Sequence, residues 1–179
     1  GQSLLPPIYN YKLSEYKGAS KNWDVSANEN GELFVANNKG LLYYNGEQWI
    51  LNKLPNNTII RSVECIGDRV YTGSYEEFGY WTKNDIGELD YTSLTYLIKD
   101  HTFTSEEFWE IFPSEDGNVL FRSFSAVYCY KGDKIVVLEA KSLDSSDIHF
   151  ESFKNNSRIR FRIDGKLIER YKVEKEDYL

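Results

Sequence analysis

The sequence predicts an all-β fold, a β-propeller-like repeat array of about four blades (a partial propeller), and three observations lead to that prediction. The 179-residue chain repeats itself, its turns carry Gly, Asn and Asp, and the segments between them are rich in aromatic and β-branched residues. Repeats of about 40 residues that each hold several short strands are typical of propeller blades rather than of helical repeats. The chain is also long enough to bury a substantial core.

Internal similarity is strongest between residues 22–46 and residues 108–132, which align without a gap. Trp23 falls opposite Trp109, and each stretch places an apolar run after an Asn-Gly or Asp-Gly turn of the kind that joins the strands of a hairpin. Other matching pairs are Val25 with Ile111, Gly31 with Gly117, Tyr44 with Tyr130 and Gly46 with Gly132. Both stretches are therefore predicted to form blades with the same strands.

A third copy lies between these two, because residues 33–44 align with 70–81 and residues 61–63 stand where 23–25 stand in the first copy. A degraded fourth copy follows, with strands at 148–153 and 159–163 and turns at 155–157 and 164–165. We therefore predict a single propeller-like domain with a lead-in segment at 1–21 and repeats at approximately 22–58, 59–103, 104–143 and 144–179.

Residues 104–112 carry two conflicting signals. Thr104 is followed three residues later by Glu107, which is a capping-box pattern and favours a helix. The internal repeat instead places residues 108–112 on a strand. We predict the strand, because a gapless repeat is a stronger signal than a three-residue spacing.

Composition excludes several classes of function. The chain has 21 basic and 28 acidic residues and a net charge of −7, which argues against binding to nucleic acid or to an anionic membrane. The longest aliphatic run, 135–138, is far shorter than the roughly 18 apolar residues of a membrane span. Because the sequence contains no methionine, we expect a processed or excised piece of a longer chain, with Gly1 as a cloning remnant.

Residues 22–46 and 61–81 resemble the two-component regulator propeller repeat, and the resemblance extends to about residue 138. Such repeats build the extracytoplasmic sensor propellers of hybrid two-component and related one-component regulators in Bacteroidetes-type bacteria. The resemblance implies a periplasmic or extracellular input domain, reached after removal of a signal peptide, of the kind that commonly responds to glycans or their breakdown products. Usual members carry a full propeller, an immunoglobulin-like domain, a membrane helix and a signalling output, whereas this chain has about four blades.

Three short links between predicted strands occupy equivalent positions in the repeats, at 37–39, 74–76 and 123–125. Equivalent links of a propeller cluster around one end of its axis, where aromatic rings can stack on a sugar and polar groups can bind hydroxyls or a carboxylate. The alternative is that these residues are simply hairpin turns, whose chemistry favours Asn and Ser for local reasons. The candidate ligand-binding residues are Asn37, Asn38, Tyr75, Glu76, Arg122 and Phe124.

Catalysis is not expected. Glu76 and Glu77 are adjacent, and adjacent strand residues point to opposite faces, so their carboxyl groups would not converge on one glycosidic bond. The same argument applies to Glu106, Glu107 and Glu110 if their segment is a strand. A glycan-degrading enzyme is therefore the least favoured of the functions considered.

Neither a metal site nor a cofactor site is predicted. His101 and His149 are the only histidines and are far apart, with no carboxylate or cysteine at ligand spacing, so a zinc site is not expected. Cys65 and Cys129 fall at non-equivalent repeat positions and are predicted to behave as small buried hydrophobic residues. No nucleotide-binding glycine motif is present.

Recurring aromatic residues are assigned to packing between blades, since a core needs large side chains at fixed positions. They are Trp23, Tyr44, Trp81, Trp109 and Tyr130. Four blades alone would leave an apolar face at each end of the array, so we expect a homo-oligomer, the remainder of a propeller, or a compact atypical arrangement. Two functions follow: a non-catalytic sensor domain with an oligosaccharide ligand, or a module that docks a partner chain through its exposed blade faces.

Overall fold

Fifteen strands form four consecutive antiparallel sheets in the part of the chain that the structure describes. The structure is a computed structural model that describes residues 8–99, 101–114, 116–139, 145–152, 156–163 and 166–174, with side chains described only within 8–138. Three sheets have four strands and the fourth has three, each in sequential order. The all-β, propeller-like prediction is confirmed.

The first three sheets are here called blades 1 to 3. Blade 1 contains β1 (Asn22–Ala27), β2 (Leu33–Asn37), β3 (Gly40–Tyr44) and β4 (Trp49–Asn52). Blade 2 contains β5 (Ile60–Ile66), β6 (Arg69–Ser74), β7 (Phe78–Lys83) and β8 (Leu89–Ser93). Blade 3 contains β9 (Glu110–Pro113), β10 (Val119–Arg122), β11 (Ala126–Tyr130) and β12 (Ile135–Glu139). The fourth sheet contains β13 (Ser145–Ser152), β14 (Asn156–Ile163) and β15 (Lys166–Glu174).

Two short helical turns lie outside the sheets. Helix α1 (Leu13–Tyr16) belongs to the lead-in segment before blade 1, and a 3-10 turn (Thr95–Leu97) follows β8. The left-handed C-cap residue Lys17 ends α1 and turns the chain towards blade 1. The lead-in segment then joins blade 1 through the backbone of Ala19, which hydrogen-bonds to the buried side chain of Asn37.

Strand positions follow the internal repeats. The strand β3 and the strand β11 begin and end at aligned residues, and the hairpins that precede them turn through aligned glycines. Gly31 and Gly117 both have positive φ angles, of 76° and 75°, which side-chain-bearing residues adopt only with strain. The same turn therefore recurs at the same place in blades 1 and 3.

The segment with conflicting signals is extended rather than helical. Strand β9 covers Glu110–Pro113, and the two residues before it are held by backbone bonds to neighbouring strands. The N–H of Phe108 donates to the carbonyl of Ser74 at 3.0 Å, and the N–H of Trp109 donates to the carbonyl of Arg122 at 2.9 Å. The preference for the repeat over the capping-box pattern is confirmed.

The first strand of each blade lies next to the axis of the array, since β1 contacts β5 and β5 contacts β9. Side chains on these inner strands connect successive blades through backbone groups. Asp24 Oδ2 accepts the Val63 N–H at 3.0 Å, Ser26 Oγ accepts the Cys65 N–H at 3.0 Å, and Ser62 Oγ donates to the Phe108 carbonyl at 2.9 Å. These bonds fix the register of one blade against the next.

Two hydrophobic cores lie between the blades. The core between blades 1 and 2 contains Phe34, Ala36, Leu41, Tyr43, Leu54, Ile60, Val63, Cys65, Val70 and Trp81. The core between blades 2 and 3 contains Tyr71, Phe78, Leu94, Phe108, Ile111, Val119, Phe121, Ala126, Tyr128 and Tyr130. Each is built from the opposed faces of two sheets, as in stacked propeller blades. Cys65 and Cys129 are both buried, as predicted.

The face of blade 1 that points away from blade 2 is only partly covered. The lead-in segment lies against its outer half, where Gly18 meets Leu42 and leaves it 2% exposed. The inner half is open, with Val25 61% exposed and Trp23 41% exposed. The aligned residues of blades 2 and 3, Val63 and Ile111, are 1% and 6% exposed. An open apolar face at this end agrees with the expectation, although the lead-in segment covers part of it.

Blade 3 is covered on both faces, as expected for a blade that has a neighbouring unit on each side. Tyr128 belongs to the core shared with blade 2, while Val127 and Cys129 alternate with it and point the other way. Val127 and Cys129 are 0% and 1% exposed. The fourth sheet lies on that side, with β15 beside β9.

The degraded fourth repeat does form a sheet, although it lacks the four-stranded pattern of the blades. Its strands pair in the order β13-β14-β15, and its backbone is all that the structure describes. The side chain of His149 lies outside that description, and so do Asn155 and the turn at 164–165.

Candidate functional site

The three predicted links lie at one end of the array, here called the link face. Asn37 at the end of β2 pairs with Asn22 at the start of β1, and Ser74 pairs with Ile60 in the same way in blade 2. In blade 3 the residue Arg122 pairs with Glu110 at the start of β9. The links between β2 and β3, β6 and β7, and β10 and β11 therefore surround the starts of the inner strands.

An aromatic and cationic stack occupies the centre of the link face. Trp23, Arg61 and Trp109 come from aligned positions of the three blades, and their side chains meet at the axis. The Arg61 guanidinium lies 4.2 Å from the centre of the Trp23 ring and 4.9 Å from that of Trp109. The two indole rings are 6.0 Å apart and nearly perpendicular, at 71°. Cation–π attraction thus holds together residues from three separate repeats.

The stack is anchored by polar contacts. Arg61 forms a bidentate ion pair with Glu107, at 2.7 Å from Nε to Oε2 and 3.1 Å from Nη2 to Oε1. Trp23 Nε1 donates to Asn38 Oδ1 at 2.6 Å, which places one predicted residue in the stack. These contacts fix the orientation of the rings, so a ligand would meet a pre-organised surface.

Phe124 extends this surface outwards. Its ring centre lies 5.8 Å from that of Trp109, and 77% of the residue is exposed. We call Trp23, Arg61, Trp109 and Phe124 the axial cluster. Arg122 lies beside it and forms an ion pair with Glu110, at 3.0 Å from Nη2 to Oε1.

Tyr75 and Glu76 lie on the link of blade 2, connected to blade 3 by residues 105–107. Glu76 has a positive φ of 52°, and its carboxylate accepts the Ser105 N–H at 2.9 Å. Tyr75 is 39% exposed and pairs with Glu107 in an isolated β-bridge. Ser125 Oγ donates to Glu106 Oε1 at 2.6 Å, which joins the same segment to the link of blade 3. The links of blades 2 and 3 thus form one continuous polar border.

Asn37 is a correction to the predicted set. It is 0% exposed, and its side chain is fully used within the protein. Its Oδ1 accepts the N–H groups of Ala19 and Lys39, while its Nδ2 donates to the carbonyls of Ala19 and Lys21 and to Asn22 Oδ1. Asn37 therefore ties the lead-in segment to blade 1 and presents no surface to a ligand.

The acidic residues near the site have different partners. Glu76 bonds to Ser105, whereas Glu77 turns away and accepts hydroxyl groups of Tyr91, Ser93 and Thr95 at 2.8, 2.7 and 3.0 Å. Glu107 and Glu110 are each paired with an arginine. Among the described residues, no two of these carboxylates share a hydrogen-bond or ion-pair partner.

Asp24 lies on β1 beside the axis, and its pKa is raised above the ordinary value of an aspartate. Burial raises its pKa, and the negative charge of Glu110 acts in the same direction. The N–H groups of Val63 and Val25 stabilise the carboxylate and offset part of that rise. The role of Asp24 is the connection between β1 and β5.

Metal-binding chemistry has no support in the described side chains. No group of three or more His, Cys, Asp or Glu residues comes together within that part of the chain. His101 Nε2 lies 2.9 Å from Tyr128 Oη, inside an aromatic group with Phe103.

Sequence reasoning missed the centre of the site. Packing between blades is confirmed for Trp81 and Tyr130, at 2% and 8% exposure. Trp23 and Trp109 also contact residues of other blades, but Trp23 is 41% exposed and is therefore accessible to a ligand. The repeats did contain a signal for this cluster. Arg61 aligns with Trp23 and Trp109, and an arginine side chain can stack between two tryptophan rings. Tyr44 packs on the lead-in segment, against Tyr11 at 5.5 Å, instead of on another blade.

Comparison with known protein families gives no match, and comparison with curated proteins gives none either. Within the described residues, no helix has both the length and the apolar character needed to cross a bilayer.

Solved structures show which class of fold this is. The extracellular domain of the one component system BT4673 from B. thetaiotaomicron superposes with a TM-score of 0.57 at 18% identity, over 83% of this chain and 20% of that one. Virginiamycin B lyase from Staphylococcus aureus gives 0.54 at 12% identity, over 89% and 57%. The computationally designed Ika4 protein gives 0.54 at 12% identity, over 96% and 98%. The chain is a propeller-type β domain.

The expected resemblance to sensor propellers is thereby supported at the level of the fold. The chain spans about a fifth (20%) of the length of the BT4673 extracellular domain. A sensor propeller and a lyase both share its architecture, so the fold alone does not define an activity.

Proposed function

We propose that this chain is the extracytoplasmic ligand-recognition domain of a two-component-type regulatory protein, and that it binds an oligosaccharide at the link face without catalysis. The observation that carries the proposal is the axial cluster. Trp23 and Phe124 expose 41% and 77% of their surface beside a charged pair, at the end of the axis where three blades converge.

The chemistry of the link face suits a sugar. Exposed rings offer flat apolar faces to the C–H groups of a pyranose, and the surrounding amide, carboxylate and guanidinium groups can bind hydroxyls. Asn38, Glu76 and Arg122 supply these polar groups around the rings. Because each arginine is paired with a glutamate, we expect the site to prefer neutral sugars over strongly anionic ones.

The similarity to the BT4673 extracellular domain supports the regulatory and extracytoplasmic parts of the proposal. The non-catalytic part is supported for one pair of acids, because Glu76 and Glu77 bond to different segments, whereas hydrolysis of a glycosidic bond uses two carboxyl groups that flank one bond.

Calorimetric titration with cello-oligosaccharides, malto-oligosaccharides and oligogalacturonides tests this function. We expect saturable binding to at least one neutral series. Trp23→Ala and Phe124→Ala should each weaken it by about ten-fold, the equivalent of losing about 1.4 kcal/mol of binding free energy. Tyr96→Ala is the matched control, because Tyr96 is 71% exposed and follows the outermost strand of blade 2.

Two results would overturn the proposal. One is the absence of saturable binding to every series, or binding that both axial variants leave unchanged. The other is cleavage of any of these sugars on prolonged incubation, detected by chromatography, which would show that the site is catalytic.

A second candidate function rests on the open face of blade 1. Val25 is 61% exposed, while the aligned Val63 and Ile111 are buried by the preceding blade of this chain. We propose that a second copy of the chain covers this face, because the face repeats the positions that other blades of the same chain cover.

Sedimentation velocity tests this docking. The chain should form a dimer or larger assembly at micromolar concentration, and Val25→Lys should shift it to the monomer. Ile86→Lys serves as the control, since Ile86 is 79% exposed on the β7–β8 turn, away from this face. A wild-type chain that stays monomeric, or a Val25→Lys variant that sediments like the wild type, would contradict self-association.

A further inference from the structure

A second cleft, remote from the link face, lies between the lead-in segment and the β3–β4 hairpin. Tyr9, Tyr11 and Glu15 form one side, and Tyr44, Glu47 and Trp49 form the other, around a cavity of about 520 Å³. The link face holds the start of β1, whereas this cleft holds the end of β3 and the start of β4. We call it the lead-in cleft.

The walls of the lead-in cleft are aromatic and angled to one another. Tyr11 lies 4.5 Å from Tyr9 at 61°, 5.5 Å from Tyr44 at 57°, and 5.4 Å from Trp49 at 83°. Tyr44 and Trp49 are 5.0 Å apart. Rings at these distances pack against one another, so the faces and edges that they turn outwards line the cavity.

The rim of the lead-in cleft is acidic. Glu15 and Glu47 line it, and none of the lining residues is Lys or Arg. The Glu15 carboxylate accepts the Tyr9 hydroxyl at 3.2 Å and the Lys12 N–H at 2.5 Å. The Glu47 carboxylate has no hydrogen-bonding or ion-pairing partner among the described residues, and the residue is exposed. The cleft therefore attracts positive charge.

The tyrosine hydroxyls add no further charge near neutral pH. A hydrogen bond with Tyr44 raises the pKa of Tyr11 to about 12, and the hydrogen bond to Glu15 raises that of Tyr9.

We propose that the lead-in cleft binds a weakly hydrated organic cation, of the alkylammonium class. Aromatic faces attract such a cation through their quadrupoles, and the two carboxylates neutralise its charge at the rim. The proposal is independent of the oligosaccharide site, because it rests on different residues at a different end of blade 1.

Titration with choline and with its neutral isostere 3,3-dimethylbutan-1-ol tests the proposal, with the Trp49 indole N–H resonance as the readout. We expect choline to bind saturably and the alcohol to bind roughly ten-fold more weakly, because the two differ in charge and hardly in shape. Glu47→Gln should weaken choline binding about three-fold, and added salt should weaken it further. Glu88→Gln is the matched control, since Glu88 is an exposed acid on the corresponding turn of blade 2.

Equal binding of the two compounds would show that the cleft recognises shape and overturn the proposal. So would the absence of a saturable response to choline, or a Glu47→Gln variant with wild-type affinity. Glu47 is exposed and its carboxylate makes no described hydrogen bond or ion pair, so the Glu47→Gln variant should remain folded. A change in its choline affinity therefore reports on binding and not on unfolding.

Discussion

Trp81 is enclosed between blades 1 and 2, with 2% of its surface exposed, and its Nε1 donates to Thr72 Oγ1 at 2.9 Å. Trp23 stands at the other extreme, on the open face of blade 1 and in the axial cluster. We therefore assign a structural role to Trp81 and a ligand-binding role to Trp23.

Alanine substitution distinguishes these roles. Trp81→Ala should lower the free energy of unfolding by about 3–5 kcal/mol, because it removes a large buried side chain and leaves a cavity. Trp23→Ala should cost about 1 kcal/mol or less, since it loses an exposed stacking contact with Arg61. Urea denaturation of both variants provides the measurement, and equal losses of stability would contradict the assignment.

Individual roles were only partly predictable from the sequence. The buried state of Trp81, Tyr130 and both cysteines followed from residue type and repeat position. The burial of Asn37 did not, because its partners Ala19 and Lys21 lie in the lead-in segment, which has no repeated counterpart.

At the scale of elements, blades 2 and 3 are in close contact at Gly73. A Cβ at this position would lie 2.7 Å from both the Cβ and the carbonyl oxygen of Phe108. To make room for such a Cβ, the backbone at Phe108 would have to move away from blade 2. That movement would disturb the hydrogen bond between Ser62 and the Phe108 carbonyl. The absence of a side chain at Gly73 thus sets the spacing of the two sheets.

Gly73→Ala should therefore lower the free energy of unfolding by about 1–3 kcal/mol, through overpacking of the interface. Hydrogen exchange should accelerate for amides of β5, β6 and β9, while β3 and β4 serve as the internal control because they do not face this contact. Unchanged stability, or faster exchange confined to blade 1, would show that the spacing is set elsewhere.

The first three strands of each blade were predictable because they are supported by aligned copies, as β3 and β11 illustrate. The same evidence decided against a helix before β9. The fourth strands, β4, β8 and β12, lie outside the aligned stretches and were not predicted. The position of the lead-in segment was not predictable, since its contacts with blade 1 are specific to aromatic side chains such as Tyr11 and Tyr16. A single unrepeated segment offers no pattern from which its docking could be derived.

At the scale of the whole molecule, the number of sheets was predictable from the sequence. The cover that the lead-in segment gives to the outward face of blade 1 was not. Repeat length indicated about four units, and four sheets are present in the described residues. The lead-in segment lies against part of the outward face of blade 1, where it buries Leu42. Repeat periodicity carries no information about such contacts.

The four tryptophans lie at three different places in this arrangement. Trp23 and Trp109 belong to the axial cluster, Trp81 to the core between blades 1 and 2, and Trp49 to the lead-in cleft. Their indole N–H groups give separate resonances, so one spectrum distinguishes the link face from the rest of the molecule.

Titration of the labelled chain with a binding neutral oligosaccharide is the most direct test of recognition at the link face. We predict that the indole resonances of Trp23 and Trp109 shift together with the same saturation curve, while those of Trp81 and Trp49 stay in place. Shifts confined to Trp49 or Trp81, with Trp23 and Trp109 unmoved at saturation, would contradict an oligosaccharide site on the axis.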